Sequence, residues 1–131
     1  MRSVARRIDH VNVTTPEELE RDMVAWYEEV LGLTRIAKPP GTRPLGAWFS
    51  CGNAQVHVSV DPHNPPKTAH FGVVVDDFTG AIERLRSAGC HLEQAREMPG
   101  RKRCYVRDPA GNRIEILAFE DAPAPADEEE I

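Results

Sequence analysis

The fold is decided by a strand–turn–strand segment, residues 105–116, which reads YVRDPAGNRIEI. Apolar and polar residues alternate on both sides of the turn residues DPAGN, 108–112. Alternation with a period of two is typical of strands that bury one face, and Asp, Pro, Gly and Asn are typical of turns. The segment therefore predicts two strands, Arg101 to Arg107 and Arg113 to Phe119, around this turn.

The residues before this segment predict three further elements. A β-branched strand is expected from His70 to Val75. A helix is expected to begin at Asp76 or Asp77 and to end at Gly89, and a short strand is expected from His91 to Ala95. The second half of the chain thus reads as strand, helix and three strands.

The first half of the chain repeats this order. A strand is expected from Arg7 to Thr14, followed by a helix whose start is marked by Thr15 as cap, Pro16 at the first position and Glu18 closing a capping box. Gly32 is expected to end that helix. Three strands follow, at residues 33–36, 45–51 and 55–60. The sequence therefore predicts an α+β protein built from two βαβββ modules related by a pseudo-two-fold axis.

Four polar residues recur at matching places in the two halves. His10 and His70 lie 60 residues apart in the first strands, and His57 and Glu115 lie 58 residues apart in the last strands. In each strand they alternate with the apolar residues, so they point away from the layer that packs on the helix. A single histidine in a strand is usually an ordinary hydrogen-bonded residue, but the repeated set favours a site for Zn²⁺, Fe²⁺, Mn²⁺, Ni²⁺ or Co²⁺.

The same alternation identifies residues that could contact a substrate. Trp48, Arg103 and Tyr105 are expected to face the metal cavity, and Gln55 lies on the same face as His57. A shift in strand register would exchange Gln55 and His57 as ligands, so both stay open. Two more arginines, Arg35 and Arg43, are expected at the rim, and their charge favours an anionic small-molecule substrate.

Several segments resemble the vicinal oxygen chelate superfamily, which includes glyoxalases, bleomycin-resistance proteins and extradiol dioxygenases. They are IDHV at 8–11, WYEEVLGL at 26–33, AWFSCG at 47–52, QVHV at 55–58, AHFGV at 69–73 and the segment at 105–116. The resemblance covers residues 7 to 119. It implies sheets curled round a metal cavity, with the ligand positions at His10, His57, His70 and Glu115, and a homodimer. The site then lies within one chain or across a swapped dimer.

The resemblance implies three classes of function. The first is a metal-dependent lyase or isomerase whose substrate chelates the metal through vicinal oxygens, with Glu115 moving a proton; a thiol transferase falls in the same class of chemistry. The second is an Fe(II) extradiol ring-cleaving dioxygenase, in which His10, His70 and Glu115 bind iron and His57 or Tyr105 acts in acid–base chemistry. The third is a non-catalytic drug-binding protein. Glu115 and Tyr105 are the catalytic candidates, and Trp48, Arg103 and Gln55 are the substrate-binding candidates.

Composition limits the remaining possibilities. The chain has 131 residues and a net charge of −5, and residues 120–131 hold six of its 21 acidic residues and no Lys or Arg. We expect one domain over residues 1–119, with modules at 7–60 and 69–119, and a disordered acidic tail at 120–131. The chain lacks a basic aromatic stripe, a long apolar run and an apolar leader. We therefore expect a cytoplasmic protein that binds neither nucleic acid nor membrane.

Overall fold

The computed structural model describes residues 4–63 and 68–120. These residues fall into two compact units. Unit 1 is residues 4–63 together with Pro109–Asn112, and unit 2 is residues 68–108 together with 113–120. The short segment joins unit 1 because the Asn112 side-chain amide is buried and donates to the Thr14 carbonyl at 3.0 Å.

Each unit is built on a four-stranded mixed sheet. Unit 1 contains β1 (His10–Thr15), β2 (Thr34–Ile36), β3 (Ala47–Cys51) and β4 (Ala54–Val60), in the order β1-β4-β3-β2. Unit 2 contains β5 (His70–Val74), β6 (Leu92–Gln94), β7 (Arg101–Arg107) and β8 (Arg113–Phe119), in the order β5-β8-β7-β6. In both sheets the first strand is parallel to the last, and the other neighbours are antiparallel. The predicted repeat and the α+β class are confirmed.

The helical segment of unit 1 changes its winding along its length. A 3₁₀ turn, Glu17–Leu19, leads into α1 (Glu20–Ala25), and a π-helical turn, Trp26–Val30, follows. The wider final turn places the Leu31 amide 2.9 Å from the Trp26 carbonyl. Gly32 then takes a φ of 79° and ends the segment, as the sequence predicts.

The predicted capping box at the start of this segment is wrong. No side chain caps the 3₁₀ turn or α1. Thr15 is the last residue of β1 and is fully buried, and its hydroxyl donates to the Pro16 carbonyl at 2.9 Å. Because that hydroxyl is directed at a carbonyl, it does not cap the helical amides. Glu18 stays exposed.

The helix of unit 2, α2 (Phe78–Ser87), has the cap that the helical segment of unit 1 lacks. The Asp77 carboxylate accepts a hydrogen bond from the Gly80 amide at 3.1 Å. The helix is followed by Gly89 at a φ of 84°, and it buries Leu85 against the sheet. Both predicted ends of α2 are confirmed.

Each sheet buries one face and leaves polar residues on the other. In unit 1 the core residues are Val13, Met23, Trp26, Tyr27, Ala47, Phe49, Val56 and Val58. In unit 2 they are Leu85, Cys104, Val106, Ile114, Ile116 and Ala118, whereas Leu117 is buried on the polar face, opposite Arg103. The alternation inferred from the sequence therefore assigns the two faces of the long strands correctly.

Gly46 brings the start of β3 close against β4. It has a φ of 89°, and a Cβ atom at this position would lie 2.2 Å from the Val58 carbonyl oxygen. Its amide donates to the Glu20 carboxylate at 3.1 Å, which ties α1 to the sheet. A residue other than glycine would be strained here both by its backbone and by lack of space.

The ends of several elements differ from the sequence predictions by a few residues. β1 begins at His10 rather than Arg7, and β3 begins at Ala47 rather than Leu45, whereas β7 and β8 have the predicted bounds. The expected acidic tail lies outside the described residues after Glu120. Within residues 4–63 and 68–120, no helix has the length and apolar character needed to cross a membrane. The curling of the sheets round a metal cavity stays a prediction.

Candidate functional site

The polar face of the unit 1 sheet brings two predicted ligands together. In the strand register His10 pairs with Gln55, and His57 lies between Asn12 on one side and Trp48 on the other. Because side chains alternate along a strand, His10, Gln55, His57 and Trp48 all project from the same face. The structure thus assembles the first pair of candidates, which we call the His10–His57 pair.

Three rings of this face form a continuous stack. The His57 ring lies 3.8 Å from the Trp48 ring at an angle of 3°, and 4.1 Å from the His10 ring at 15°. This stacking leaves His57 only 7% exposed although it lies on the polar face. Burial lowers the pKa of His57, the charge of His10 lowers it further, and only Asp9 opposes these effects. His57 is therefore a neutral imidazole near pH 7.

The proton of His57 is assigned by its neighbour Gln55. Nε2 of His57 lies 2.8 Å from the Gln55 side-chain oxygen. With the amide in this orientation, the oxygen accepts and Nε2 carries the hydrogen. Gln55 and His57 are therefore bonded partners, and ligation by Nε2 of His57 requires that its proton move to Nδ1 and that the Gln55 amide move away.

His10 has the arrangement that metal-binding histidines use. Its Nδ1 donates to the Asp9 carboxylate at 3.0 Å, which leaves the lone pair on Nε2. This hydrogen bond lowers the pKa of Asp9, burial opposes it, and the charge of Arg7 lowers the pKa further. A carboxylate behind a histidine fixes the tautomer and orients the ring toward a metal.

The second pair of candidates lies on the polar face of the unit 2 sheet. Nδ1 of His70 donates to the Thr68 carbonyl at 3.3 Å, and Nε2 lies 3.4 Å from Oε1 of Glu115. In a neutral His70 of this tautomer, the Nε2 lone pair would face a carboxylate oxygen. A proton or a metal ion between these two atoms removes the repulsion. We call these residues the His70–Glu115 pair.

Glu115 is held in its ionised form by Arg103. Nε of Arg103 donates to Oε2 of Glu115 at 2.9 Å, and the two side chains are only 11% and 12% exposed. Burial of the Glu115 carboxyl raises its pKa, but the hydrogen bond and charge of Arg103, together with His70, bring the pKa below its ordinary value. One carboxylate oxygen is thus taken by Arg103, and the other faces His70.

Tyr105 lies beside this pair in a cationic environment. Its hydroxyl accepts from Nη2 of Arg103 at 3.0 Å, and its ring meets His70 edge-on at 5.0 Å. The Arg113 guanidinium lies 3.6 Å from the centre of the ring. Arg113 also donates to the Thr68 carbonyl, which His70 uses as well. Arg113 therefore supports both His70 and Tyr105.

The donor atoms suit a divalent metal, although no complete site is assembled in the described residues. Within residues 4–63 and 68–120, no group of three or more His, Cys, Asp and Glu side chains is placed to hold a metal ion. The candidates occur as two pairs, one in each unit. Two ligands of a tetrahedral site with bonds of about 2.1 Å lie about 3.4 Å apart. The Nε2–Oε1 distance between His70 and Glu115 matches this separation.

Four of the other predicted contact residues, Trp48, Gln55, Arg103 and Tyr105, lie on the predicted faces of their sheets. Arg35 is exposed and pairs with Phe49 in the register, so it projects from the same side of the sheet as Phe49. The placement of Arg35 and Arg43 at the rim of a cavity stays a prediction.

Two supporting residues, Asp9 and Arg113, were missed by the sequence analysis. The adjacency of Asp9 to His10 was a signal for the first. The shared alternation of Arg113 with Glu115 was a signal for the second.

The chain matches known proteins over most of its length. Residues 7–116 match the family model of the Glyoxalase/Bleomycin resistance protein/Dioxygenase superfamily. A Bacillus anthracis structure described as of the glyoxalase family is 36% identical, with a TM-score of 0.83, over 92% of this chain and 100% of that chain. A comparison with curated proteins finds no match.

More distant structures share the fold. Lactoylglutathione lyase from Agrobacterium tumefaciens is 23% identical with a TM-score of 0.68, over 88% of this chain and 96% of that chain. An antibiotic binding protein from a Streptomyces species is 19% identical with a TM-score of 0.71, over 91% of this chain and 100% of that chain. The family match and the 36% identical structure carry the assignment: the chain belongs to the glyoxalase/bleomycin resistance protein/dioxygenase superfamily.

Proposed function

We propose that the chain binds a divalent metal ion through His10, His57, His70 and Glu115. We further propose that it acts as a lyase or isomerase on a small molecule that chelates the metal through two neighbouring oxygens. The observation that carries the proposal is shared by both pairs. In each, the Nδ1 of the first-strand histidine is fixed by an oxygen acceptor, so Nε2 is left for a ligand. Hydrogen-bonded histidines of this kind are typical of metal sites.

Glu115 is the group that moves the proton in this proposal. A bound metal supplies Lewis-acid stabilisation for the negative charge that develops on the substrate oxygens. Glu115, kept ionised by Arg103, would loosen its bond to the metal, accept a proton from the carbon next to the substrate carbonyl and return it to the neighbouring carbon. The Tyr105 hydroxyl, bonded to Arg103, lies beside Glu115 and orients the substrate oxygen. Trp48 forms an aromatic wall.

The protein is proposed to act as a cytoplasmic homodimer. The two pairs that share a metal then come from one chain or from two chains of the dimer. Mixing two inactive variants, one altered in each pair, distinguishes these cases. Activity regained in mixed dimers means that the shared site uses pairs from different chains, and no regain means that both pairs belong to one chain.

Metal analysis of purified protein tests the proposal. We expect one equivalent of metal per chain in the wild type and its loss in His70→Ala and in Glu115→Ala. The control is His91→Ala, a histidine of unit 2 that is exposed and outside the proposed set. Zinc or nickel favours the lyase or isomerase. A wild type that takes up no metal, even after reconstitution, would contradict the proposal.

One observation favours the ring-cleaving dioxygenase as a second candidate. Because Nε2 of His57 is engaged with Gln55, the histidines left for a metal are His10 and His70. Together with Glu115 they form the two-histidine, one-carboxylate set of non-haem iron enzymes. His57→Ala separates the candidates. Loss of the metal supports four ligands, whereas iron that stays bound in that variant supports three.

A non-catalytic drug-binding role is the third candidate. Trp48 lines a cavity of about 410 Å³ in unit 1, together with Leu45, Val58, Val60 and the side chain of Arg43. An apolar cavity beside a half-buried aromatic ring suits a bulky organic ligand. Tight binding of a cationic drug by metal-free protein, abolished in Trp48→Ala, would support this role over both enzyme candidates.

A further inference from the structure

A second cavity, of about 760 Å³, lies within unit 2 between the loop of residues 95–100 and the first residues of β7. None of the four proposed metal ligands lines this cavity. Arg103, which is bonded to Glu115, does line it. Four cationic side chains line the cavity: Arg96, Arg101, Lys102 and Arg103. A volume of this size is within the range of small-molecule sites.

The charges in this cavity are only partly balanced. Arg103 is paired with Glu115, so its charge is already offset. Two carboxylates, Glu97 and Glu120, also line the cavity. In the described part of the chain, however, no salt bridge joins either of them to Arg96, Arg101 or Lys102. The cavity therefore presents three cationic groups that are not in ion pairs with described residues.

Among these three cationic groups, Arg101 has the contacts that most directly indicate a ligand site. Its guanidinium carbon lies over the Phe119 ring, 4.8 Å from the ring centre. Its Nε is buried and has no hydrogen-bond partner among the described residues. A buried N–H without a partner is costly, so such a group is usually found where a ligand or water completes it. A planar guanidinium is suited to two-point binding of phosphate or carboxylate.

We propose that this cavity binds the phosphate or carboxylate group of a small molecule, with Arg101 as the anchor and Arg96 and Lys102 as the flanking charges. Met98, which is 43% exposed, and Phe78 supply apolar surface for the rest of the ligand. The ligand class is thus a small organic anion with an apolar part.

Arg103 connects this cavity to the His70–Glu115 pair. Its side chain lines the cavity, and its Nε donates to Glu115. An anionic group held at Arg101 is therefore separated from Glu115 by one arginine. If the proposed metal enzyme is correct, this cavity holds the anionic end of its substrate. The anion site itself rests on the cavity and on Arg101, and it does not require a metal.

A titration of metal-free, full-length protein tests the site. Backbone amide resonances are followed by NMR while inorganic phosphate is added, with acetate in a parallel experiment. We expect saturable shifts centred on residues 96–102 that weaken as sodium chloride is raised, since salt screens the attraction. The anion that binds more tightly identifies the group that the site prefers. Shifts spread over the whole chain would overturn the proposal.

Matched arginine variants complete the test. Arg101→Gln is expected to weaken binding at least tenfold, and Arg86→Gln, an exposed arginine on α2 outside the cavity, is expected to leave it unchanged. Because Arg101 packs on Phe119 and its loss could disturb folding, Arg96→Gln provides a second test on an exposed residue. Binding that is unchanged in both Arg101→Gln and Arg96→Gln would overturn the proposal, whatever the outcome of the metal analysis.

Discussion

His57 of unit 1 and Glu115 of unit 2 occupy equivalent positions in two sheets of the same topology, yet their surroundings are opposite in character. Each lies in the last strand of its sheet, beside the third strand, where Trp48 in unit 1 corresponds to Tyr105 in unit 2. His57 is neutral, stacked between rings and bonded to an amide. Glu115 is ionised and bonded to Arg103.

This difference shows what the repeat preserves and what it leaves free. The strand register is the same in both units, and so is the division of each sheet into a helix-packed face and a polar face. The charges on the polar face are not. Unit 1 presents the neutral His57 ring and an aromatic surface, and unit 2 presents an ionised carboxylate. The same strand framework therefore carries polar faces of different charge.

The largest expected effect is the loss of unfolding free energy when a core side chain of either unit is truncated. Phe49 and Val106 occupy equivalent buried positions, and both have no exposed surface. Phe49→Ala should destabilise the fold by about 4 kcal/mol, and Val106→Ala by roughly 2 kcal/mol, because the larger side chain leaves the larger cavity. Urea unfolding measures both free energies. Equal losses would mean that the aromatic core of unit 1 is no more important than the aliphatic core of unit 2.

The group that accepts a hydrogen bond from the first-strand histidine differs between the two units. Mutation can therefore test each of these groups separately. His10 is fixed by the Asp9 side chain, whereas His70 is fixed by the Thr68 backbone carbonyl. Asp9→Asn should therefore weaken metal binding by about tenfold, since residues behind a ligand typically contribute that much. Thr68→Ala keeps the carbonyl and should bind metal like the wild type. Competition with a chelator measures both affinities, and a similar loss in the two variants would contradict this assignment.

The smallest expected effect on the unfolding free energy comes from substitutions at the N-terminal ends of the helices. Asp77 caps α2 through the Gly80 amide, whereas the helical segment of unit 1 has no side-chain cap. Asp77→Ala should cost about 1 kcal/mol of unfolding free energy. Glu18→Ala, at the predicted but unformed capping box, should change it by less than about 0.5 kcal/mol. Thermal or urea unfolding checks both values. A larger loss for Glu18→Ala would show that the capping box forms in solution.

The sequence predicts the strands of unit 2 better than the helical segment of unit 1. β7 and β8 have the predicted bounds because alternation and the turn at 108–112 act locally. The start of the unit 1 segment depends instead on tertiary structure. Thr15 is drawn into the core as the end of β1, and Glu20 is engaged by the Gly46 amide, which is 26 residues away. No local pattern carries that information.

The candidate site shows the same limit. Alternation places His10, His57, His70 and Glu115 on the polar faces because it depends only on the strand period. It does not reveal the stack on Trp48 or the bond between Arg103 and Glu115. Both depend on which side chains of neighbouring strands meet, and Arg103 is directly opposite Leu117 rather than Glu115. Such diagonal contacts follow from the twist of the sheet and the length of the side chain.

We propose that one metal site takes ligands from both units. A titration of metal-free protein with Co²⁺, followed by visible absorption, tests it most directly when the wild type is compared with His10→Ala and Glu115→Ala. We predict saturation at one equivalent per chain in the wild type and loss of the tight site in both variants. Tight binding that survives in His10→Ala but is lost in Glu115→Ala would assign the metal to unit 2 alone and contradict the claim.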